Sequence, residues 1–218
     1  LNINAPESYT RQEWSVLNRT MKVFSDKRLT LGFTVYRPDF SLDFAADLIR
    51  KYSLNTCIRI GLAVPVVGGG NAFLKPADYP RVSERLARFA GSRRARGLTF
   101  SFDCGFILCA FTDGQLGRLF RLGMPPVSRC TPCIDVGPDL SVWRCFSCSL
   151  IVNRRLADFK DLQSAAGFYE KKFMLFRKAG VLARCLVCGQ RTANRCCGGC
   201  LGHTLKTFKV EDKIRYLR

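Results

Sequence analysis

Histidine is nearly absent: His203 is the only one in 218 residues. Structural zinc sites often mix imidazole with thiolate, so this scarcity counts against zinc as the default metal. Long apolar runs are missing too. None approaches the roughly 18 residues that span a bilayer, so no membrane role is expected. The opening LNINAPESYTRQEW has no basic region leading into an apolar one. No secretory signal is visible, and a cytoplasmic location is expected. Disulfides are a poor default there, because cytosolic thiols are kept reduced. The chain does not begin with Met and opens on what reads as a buried strand, which suggests a fragment lacking its N-terminal part. Gly68, Gly69 and Gly70 are not followed by the Lys-Ser/Thr of a phosphate loop and read as a flexible strand exit.

Acidic residues are also few, 17 against 35 basic, for a formal net charge of +18. Such an excess suits an anionic partner such as nucleic acid. The aromatics show no stacking pattern interleaved with Arg and Lys. The formal count also treats every thiol as neutral, whereas metal-bound thiolates are anionic. The charge is therefore read mainly as a counterweight to thiolates, with nucleic acid not the expected partner.

The first hundred residues alternate between two periods. LNIN is a short strand. Thr10 and Glu13 have capping-box spacing ahead of a helix with Trp14, Leu17 and Met21 on one face. Leu31, Phe33 and Val35 mark a strand of period two. Ser41 is expected to cap a helix carrying Ala45, Leu48, Ile49 and Tyr52. CIRIGLAVPV reads as a strand covered on both faces. Pro80 opens a further helix with Val82, Leu86, Phe89 and Ala90, and LTFSF is a fourth strand. Such alternation predicts right-handed βαβ units on a parallel sheet. Thr112 and Gln115 form another capping box, with Gly123 as the stop. A last helix is expected from Leu156 to about Lys178. Domain boundaries are expected at 1–102, 103–205 and a solvated basic tail at 206–218.

What is abundant is cysteine. Twelve are present, eleven of them from Cys104 onward. Cys57, inside an apolar strand, is expected to be a buried structural thiol. The C-x-x-C pairs 130/133, 145/148 and 185/188 have metal-ligand spacing, which does not select the metal. A redox C-x-x-C would explain one pair only. Two [4Fe–4S] clusters would use eight thiolates and leave three of the eleven. The glycines of CCGGC would let backbone approach a cluster closely.

CLVCGQRTANRCCGGC, read as C-x2-C-x7-C-x3-C, resembles the SPASM domain that follows the barrel of many radical S-adenosylmethionine (SAM) enzymes. IDVGPDLSVWRC resembles that domain's strand-turn-strand leading into a ligand cysteine. LGFTVYRPDF and IRIGLAVPV look like later strands of the radical SAM barrel. The fold implied is α/β, the C-terminal half of a partial (β/α) barrel followed by a small cysteine-rich α+β auxiliary cluster domain. The resemblance implies one or two auxiliary [4Fe–4S] clusters, and SAM as cofactor of the complete enzyme. A first cluster would take Cys130, Cys145 and Cys200 plus one of Cys104, Cys109 or Cys133. A second would take Cys185, Cys188 and Cys196, with Cys197, Cys148 or His203 as the fourth ligand. Asn4 and Arg59 are the SAM-contacting candidates; Thr34, Tyr36 and Leu62 read as barrel packing. Asp103, Asp135 and Asp139 lie near the cysteines and read as turn formers rather than catalytic groups. Implied partners are a peptide or small-molecule substrate and an electron donor such as a flavodoxin or ferredoxin. The C-x3-C-x2-C triad that holds the SAM-cleaving cluster is nowhere in the chain, and Phe146, not an acid, follows Cys145. The chain alone is not expected to cleave SAM. The competing expectation is a zinc-binding basic module that associates with nucleic acid and is not catalytic.

Overall fold

The alternating periods of the first half fold as α-helices and parallel strands. The computed structural model describes residues 1–25, 29–130 and 133–209, and its contacts divide the chain into two units. The first holds Leu1–Ala63, Ala77–Asp103 and Leu108–Val127; the second holds Val64–Pro76, Cys104–Ile107 and the chain from Ser128 onward.

In the first unit the order is β1 (Asn2–Ile3), α1 (Arg11–Val23), β2 (Leu31–Val35), α2 (Asp43–Tyr52), β3 (Cys57–Leu62), α3 (Tyr79–Ala90), β4 (Thr99–Phe102) and α4 (Asp113–Arg121). All four strands are parallel and stand in the order β1-β2-β3-β4. Right-handed crossovers that never reverse direction bring successive helices to the same face of a sheet. The ring contacts agree. Phe44 of α2 lies 5.7 Å from Phe33 of β2, and Phe89 of α3 stacks on Phe100 of β4 at 5.9 Å. Leu31, Phe33, Val35, Ile58, Ile60, Leu62, Phe100 and Phe102 are buried. At about 1.5–3 kcal/mol for each large apolar side chain buried, this layer is what holds the unit together.

Local signals set the helix starts. Thr10 Oγ1 accepts from the Glu13 N–H at 3.2 Å while Glu13 reaches back to the Thr10 N–H at 2.8 Å, a complete capping box. Thr112 and Gln115 repeat it at α4, and Gly123 follows with φ +70°. Ser41 acts one step earlier than expected: its Oγ accepts from the Asp43 N–H at 3.1 Å, and Leu42 holds the cap position. β3 is not covered evenly: Ile58, Ile60 and Leu62 are buried while Arg59 is exposed and Cys57 half-buried, and the helix rings of Phe44 and Phe89 meet the sheet on the face that carries Phe33 and Phe100.

The second unit has an antiparallel sheet of β5 (Asp135–Val136), β6 (Ser141–Trp143) and β7 (Arg154–Arg155), then α5 (Leu162–Ala179), α6 (Gly189–Thr192) and α7 (Leu201–Thr207). Val142, Tyr169, Phe173, Leu201 and Leu205 form its core with Cys148. Tyr169 Oη donates to the Val142 carbonyl at 2.5 Å, and burial pushes its pKa up to about 12. The last long helix begins at Leu162 rather than Leu156, because Asp161 caps it by accepting from the Ser164 N–H at 2.7 Å. The expected tail is in part structural: Lys206 and Thr207 close α7, in which Thr204 and Leu205 are buried. Residues 210–218 of that tail lie outside the described residues.

The β5–β6 connection places a non-glycine residue in the left-handed region. Leu140 sits at φ +62° and donates to Gly137 O at 2.9 Å, after Pro138 and Asp139 complete the turn. Left-handed backbone costs a residue with a side chain about 1–2 kcal/mol, and Leu140 is 53% exposed, so little packing offsets it. Leu140→Gly should therefore raise stability, by about 0.5–1 kcal/mol after glycine's own chain entropy is counted. Equilibrium urea unfolding checks this, and a destabilised variant would show that the leucine packs usefully.

Candidate functional site

Two places concentrate polar chemistry, one in each unit. In the first unit it is the sheet face turned away from the helices. Asn2, Gly32, Arg59 and Ser101 stand side by side in register across all four strands. One step along, Gly61 pairs with Thr34. Period-two alternation forces these residues onto the side opposite Phe33, Ile60 and Phe102. Arg59 lies across this face, its Nε 3.2 Å from Asp103 Oδ2 and its guanidinium donating to Asn2 Oδ1 at 3.2 Å. Both glycines leave room there: a Cβ at Gly32 would fall 2.4 Å from Asn2 Oδ1, and one at Gly61 would lie 3.4 Å from Asp103 Oδ2. Asn4 is exposed just past β1, and its N–H donates to Tyr9 Oη at 2.8 Å. The strands' C-terminal ends thus present a cation, a carboxylate, an amide and a hydroxyl to solvent. Ligands of parallel α/β sheets bind at such ends.

In the second unit the cysteines gather around a buried cation. Arg144 follows β6 and is 1% exposed. Its guanidinium donates to Cys130 Sγ at 3.6 Å and to Cys145 Sγ at 3.8 Å, and its Nε has no hydrogen-bond acceptor among the described residues. Glu170 Oε2 is 4.0 Å away, and the two oxygens of that carboxylate accept closer bonds from Arg177, each at 2.8 Å. Burial works to lower the arginine's pKa, but the Cys130 and Cys145 sulfurs outweigh it and hold it above its ordinary value. Cys145 and Cys148 share a sulfur–sulfur hydrogen bond of 3.9 Å. That bond, helped by Arg144, holds the Cys145 thiol well below the usual range; the same bond and burial push Cys148 up. Cys200 is buried within reach of Ser147 Oγ at 3.5 Å. Burial raises its pKa to about 11, with charge on Cys145 and Cys130 acting in the same direction.

A second group flanks the first. Ser128 Oγ donates to the Phe106 carbonyl at 2.7 Å and lies 3.1 Å from Cys196 Sγ and 3.7 Å from Cys197 Sγ. Burial raises the Cys197 thiol. Cys185, Cys196 and Cys197 line one cleft of about 430 Å³ with Arg177, Arg191 and Asn194. Cys130, Cys196 and Cys197 line another, of about 720 Å³, against Glu170 of α5. The glycines of CCGGC admit side chains here. A Cβ at Gly198 would lie 2.9 Å from Arg191 Nε, and one at Gly199 would lie 2.8 Å from Val181. Arg191 in turn donates to the Arg177 and Lys178 carbonyls, each at 2.6 Å, closing the C-terminus of α5.

The structure therefore brings Cys130, Cys145 and Cys200 together and adds Cys148, which the resemblance did not place in the first set. It puts Cys185 and Cys196 on one cleft with Cys197. Cys188 is half-buried at the start of α6, while Cys104, Cys109 and Cys133 are exposed. None of the twelve cysteines, all among the described residues, is disulfide-bonded. Among the described residues, no three His, Cys, Asp or Glu side chains are already arranged as a metal-holding set. Asp139 has the turn role expected, accepting from the Ser141 N–H at 3.1 Å and from its hydroxyl at 2.6 Å. Arg144, Ser128 and Ser147 escaped the sequence reading. An arginine or a serine near a cysteine carries no spacing signature, and only the fold shows that these three are buried against sulfur.

No family model, curated protein or solved structure matches this chain. The site must be read from its own chemistry. A buried guanidinium faced mainly by sulfur calls for anionic sulfur, since an uncompensated buried charge costs several kcal/mol. Thiolates bound to metal are one stable form of that charge.

His203, the remaining ligand candidate, is buried in α7 with its ring 5.5 Å from Phe73. Burial pushes its pKa down to about 4, and the Lys206 charge acts the same way. The unfolded chain protonates this imidazole near pH 6.5 and the fold only near pH 4. Stability is thus full above pH 6.5 and falls as the pH drops toward 4, by on the order of 3 kcal/mol from this residue. His203→Gln should flatten the fall in Tm between about pH 7 and pH 5. An unchanged slope in the variant would contradict the assignment.

Proposed function

We propose that this chain is the C-terminal part of a radical SAM enzyme, a piece of its partial (β/α) barrel joined to a SPASM-type module that holds an auxiliary iron–sulfur cluster. The observation that carries the reading is Arg144, buried between Cys130 and Cys145 with Cys148 and Cys200 beside them. These four thiols fit a cluster in number, donor type and burial. The sequential parallel sheet, covered by helices on one side and polar on the other, supports the barrel part. Its exposed Asn4 and Arg59 suit contacts to a polar cofactor, and Asp103 fixes the arginine's direction.

In such a module an iron–sulfur cluster supplies one-electron transfer or a Lewis-acidic iron. The chain's own residues supply the rest. Cys130, Cys145, Cys148 and Cys200 would hold the cluster as thiolates, and Arg144 would offset part of their charge. Ser147 places a hydroxyl against Cys200, where donation to sulfur would steady a thiolate; Ser128, whose proton goes to the Phe106 carbonyl, stands beside Cys196 as an acceptor. Cys185, Cys196 and Cys197 line the cleft in which a second site would form.

A zinc-binding module is the second reading, and one distance favours it. Two thiolates on a single tetrahedral zinc stand about 3.8 Å apart, given Zn–S bonds of about 2.3 Å. The Cys145–Cys148 separation of 3.9 Å is close to that value. In a four-iron cluster each iron takes one thiolate, so ligand sulfurs lie farther apart. Metal and acid-labile sulfide analysis of anaerobically purified and reconstituted chain separates the two. The cluster reading expects brown protein with about four irons and four sulfides per site, and at least about half of one site's iron lost in Cys148→Ala. Colourless protein holding stoichiometric zinc would replace it with the second reading. Protein that takes up neither metal would remove both.

A further inference from the structure

Arg144 and Glu170 form a loose charge pair, 4.0 Å apart, beside the gathered thiols. Arg144 is 1% exposed, its side chain points at Cys130 and Cys145, and its Nε has no acceptor among the described residues. Packing alone would be served better by an apolar side chain of similar volume, since a buried cation pays a desolvation cost that only anionic neighbours return. Among the described residues, the one carboxylate within 4.0 Å is shared. Glu170 Oε2 stands 4.0 Å from the guanidinium, is 45% exposed along the cleft, and binds Arg177 through both oxygens. The positive charge facing the sulfurs is therefore offset only weakly, by a partner that water also reaches.

We propose that Arg144 is a positioning and potential-setting residue for the auxiliary cluster, and that Glu170 moderates it. The inference rests on the iron–sulfur reading above. One electron arriving from an external one-electron reductant adds one negative charge inside the cage. No proton is transferred, and no bond forms or breaks. A fixed guanidinium against two ligand sulfurs favours that added charge. Removing the guanidinium disfavours it, and removing the Glu170 charge favours it further. A residue that merely filled space would not give opposite signs at these two positions.

The test is an anaerobic redox titration of the reconstituted 218-residue chain, with dithionite as reductant and the reduced cluster followed by electron paramagnetic resonance. At the wild-type midpoint, Arg144→Gln should lower the ratio of reduced to oxidised cluster by on the order of tenfold, about 59 mV for a one-electron couple. Glu170→Gln should raise that ratio by about twofold, a smaller effect because the carboxylate is partly solvated. Arg144→Lys, which keeps the charge, should stay within about twofold of wild type. Glu170→Gln with full iron content and an unmoved or lowered ratio would overturn the inference, and it decides the matter even if Arg144→Gln does not fold. An Arg144→Gln chain that loads iron with the wild-type midpoint would overturn it equally. Wild-type chain that takes up no iron and sulfide would fail at the earlier step and overturn the cluster reading with it.

Discussion

A cation cannot be buried without anionic company, and that constraint organises the second unit. Arg144 enters the interior at the end of β6, whose Val142 packs into the apolar core with Tyr169, Phe173 and Leu201. Glu170 is too far away and too engaged with Arg177 to answer it alone. The compensation falls to Cys130 and Cys145, and through Cys145 to Cys148. Thiols at their ordinary pKa of about 8.5 are poor counter-ions at neutral pH. The arrangement makes physical sense when some of these sulfurs are thiolates, as they are when they ligate a metal.

The first unit answers a different constraint. A parallel sheet needs apolar cover, and four parallel strands in sequential order receive it on the face that carries Phe33, Ile60 and Phe102. The uncovered side then has to be hydrophilic. Asn2, Arg59, Ser101, Thr34 and Asp103 meet that need, with Gly32 and Gly61 keeping the surface low between them. A polar sheet face with a paired Arg59 and Asp103 offers hydrogen-bonding groups of both signs to a polar ligand.

The fold of the first unit was largely legible because its signals are local. Capping boxes at Thr10 and Thr112, the stripe of Leu17 and Met21, and the alternation of Leu31, Phe33 and Val35 each depend on residues within one turn or one strand. CIRIGLAVPV suggests cover on both faces because it contains one charge, and a single Arg59 does not reveal which side of a sheet is bare. Leu156–Asp161 was taken into α5 because its composition is helical; the Asp161 cap overrode that preference. The site was legible as a list of cysteines and not as a grouping. Cys148 joins Cys145 through a short-range turn, but its nearness to Cys200 is a contact across more than fifty residues that spacing cannot supply. The Gly198–Gly199 pair was read as room for a cluster, whereas the described structure fills that room with Arg191 and Val181.

The central claim is that the sulfurs around Arg144 are ligands to iron. Iron K-edge X-ray absorption of the anaerobically purified chain tests it most directly. The account predicts an all-sulfur first shell with iron neighbours just beyond it, as a sulfide-bridged cluster requires. An absence of iron, or iron bound by oxygen and nitrogen with no iron neighbour, would contradict it.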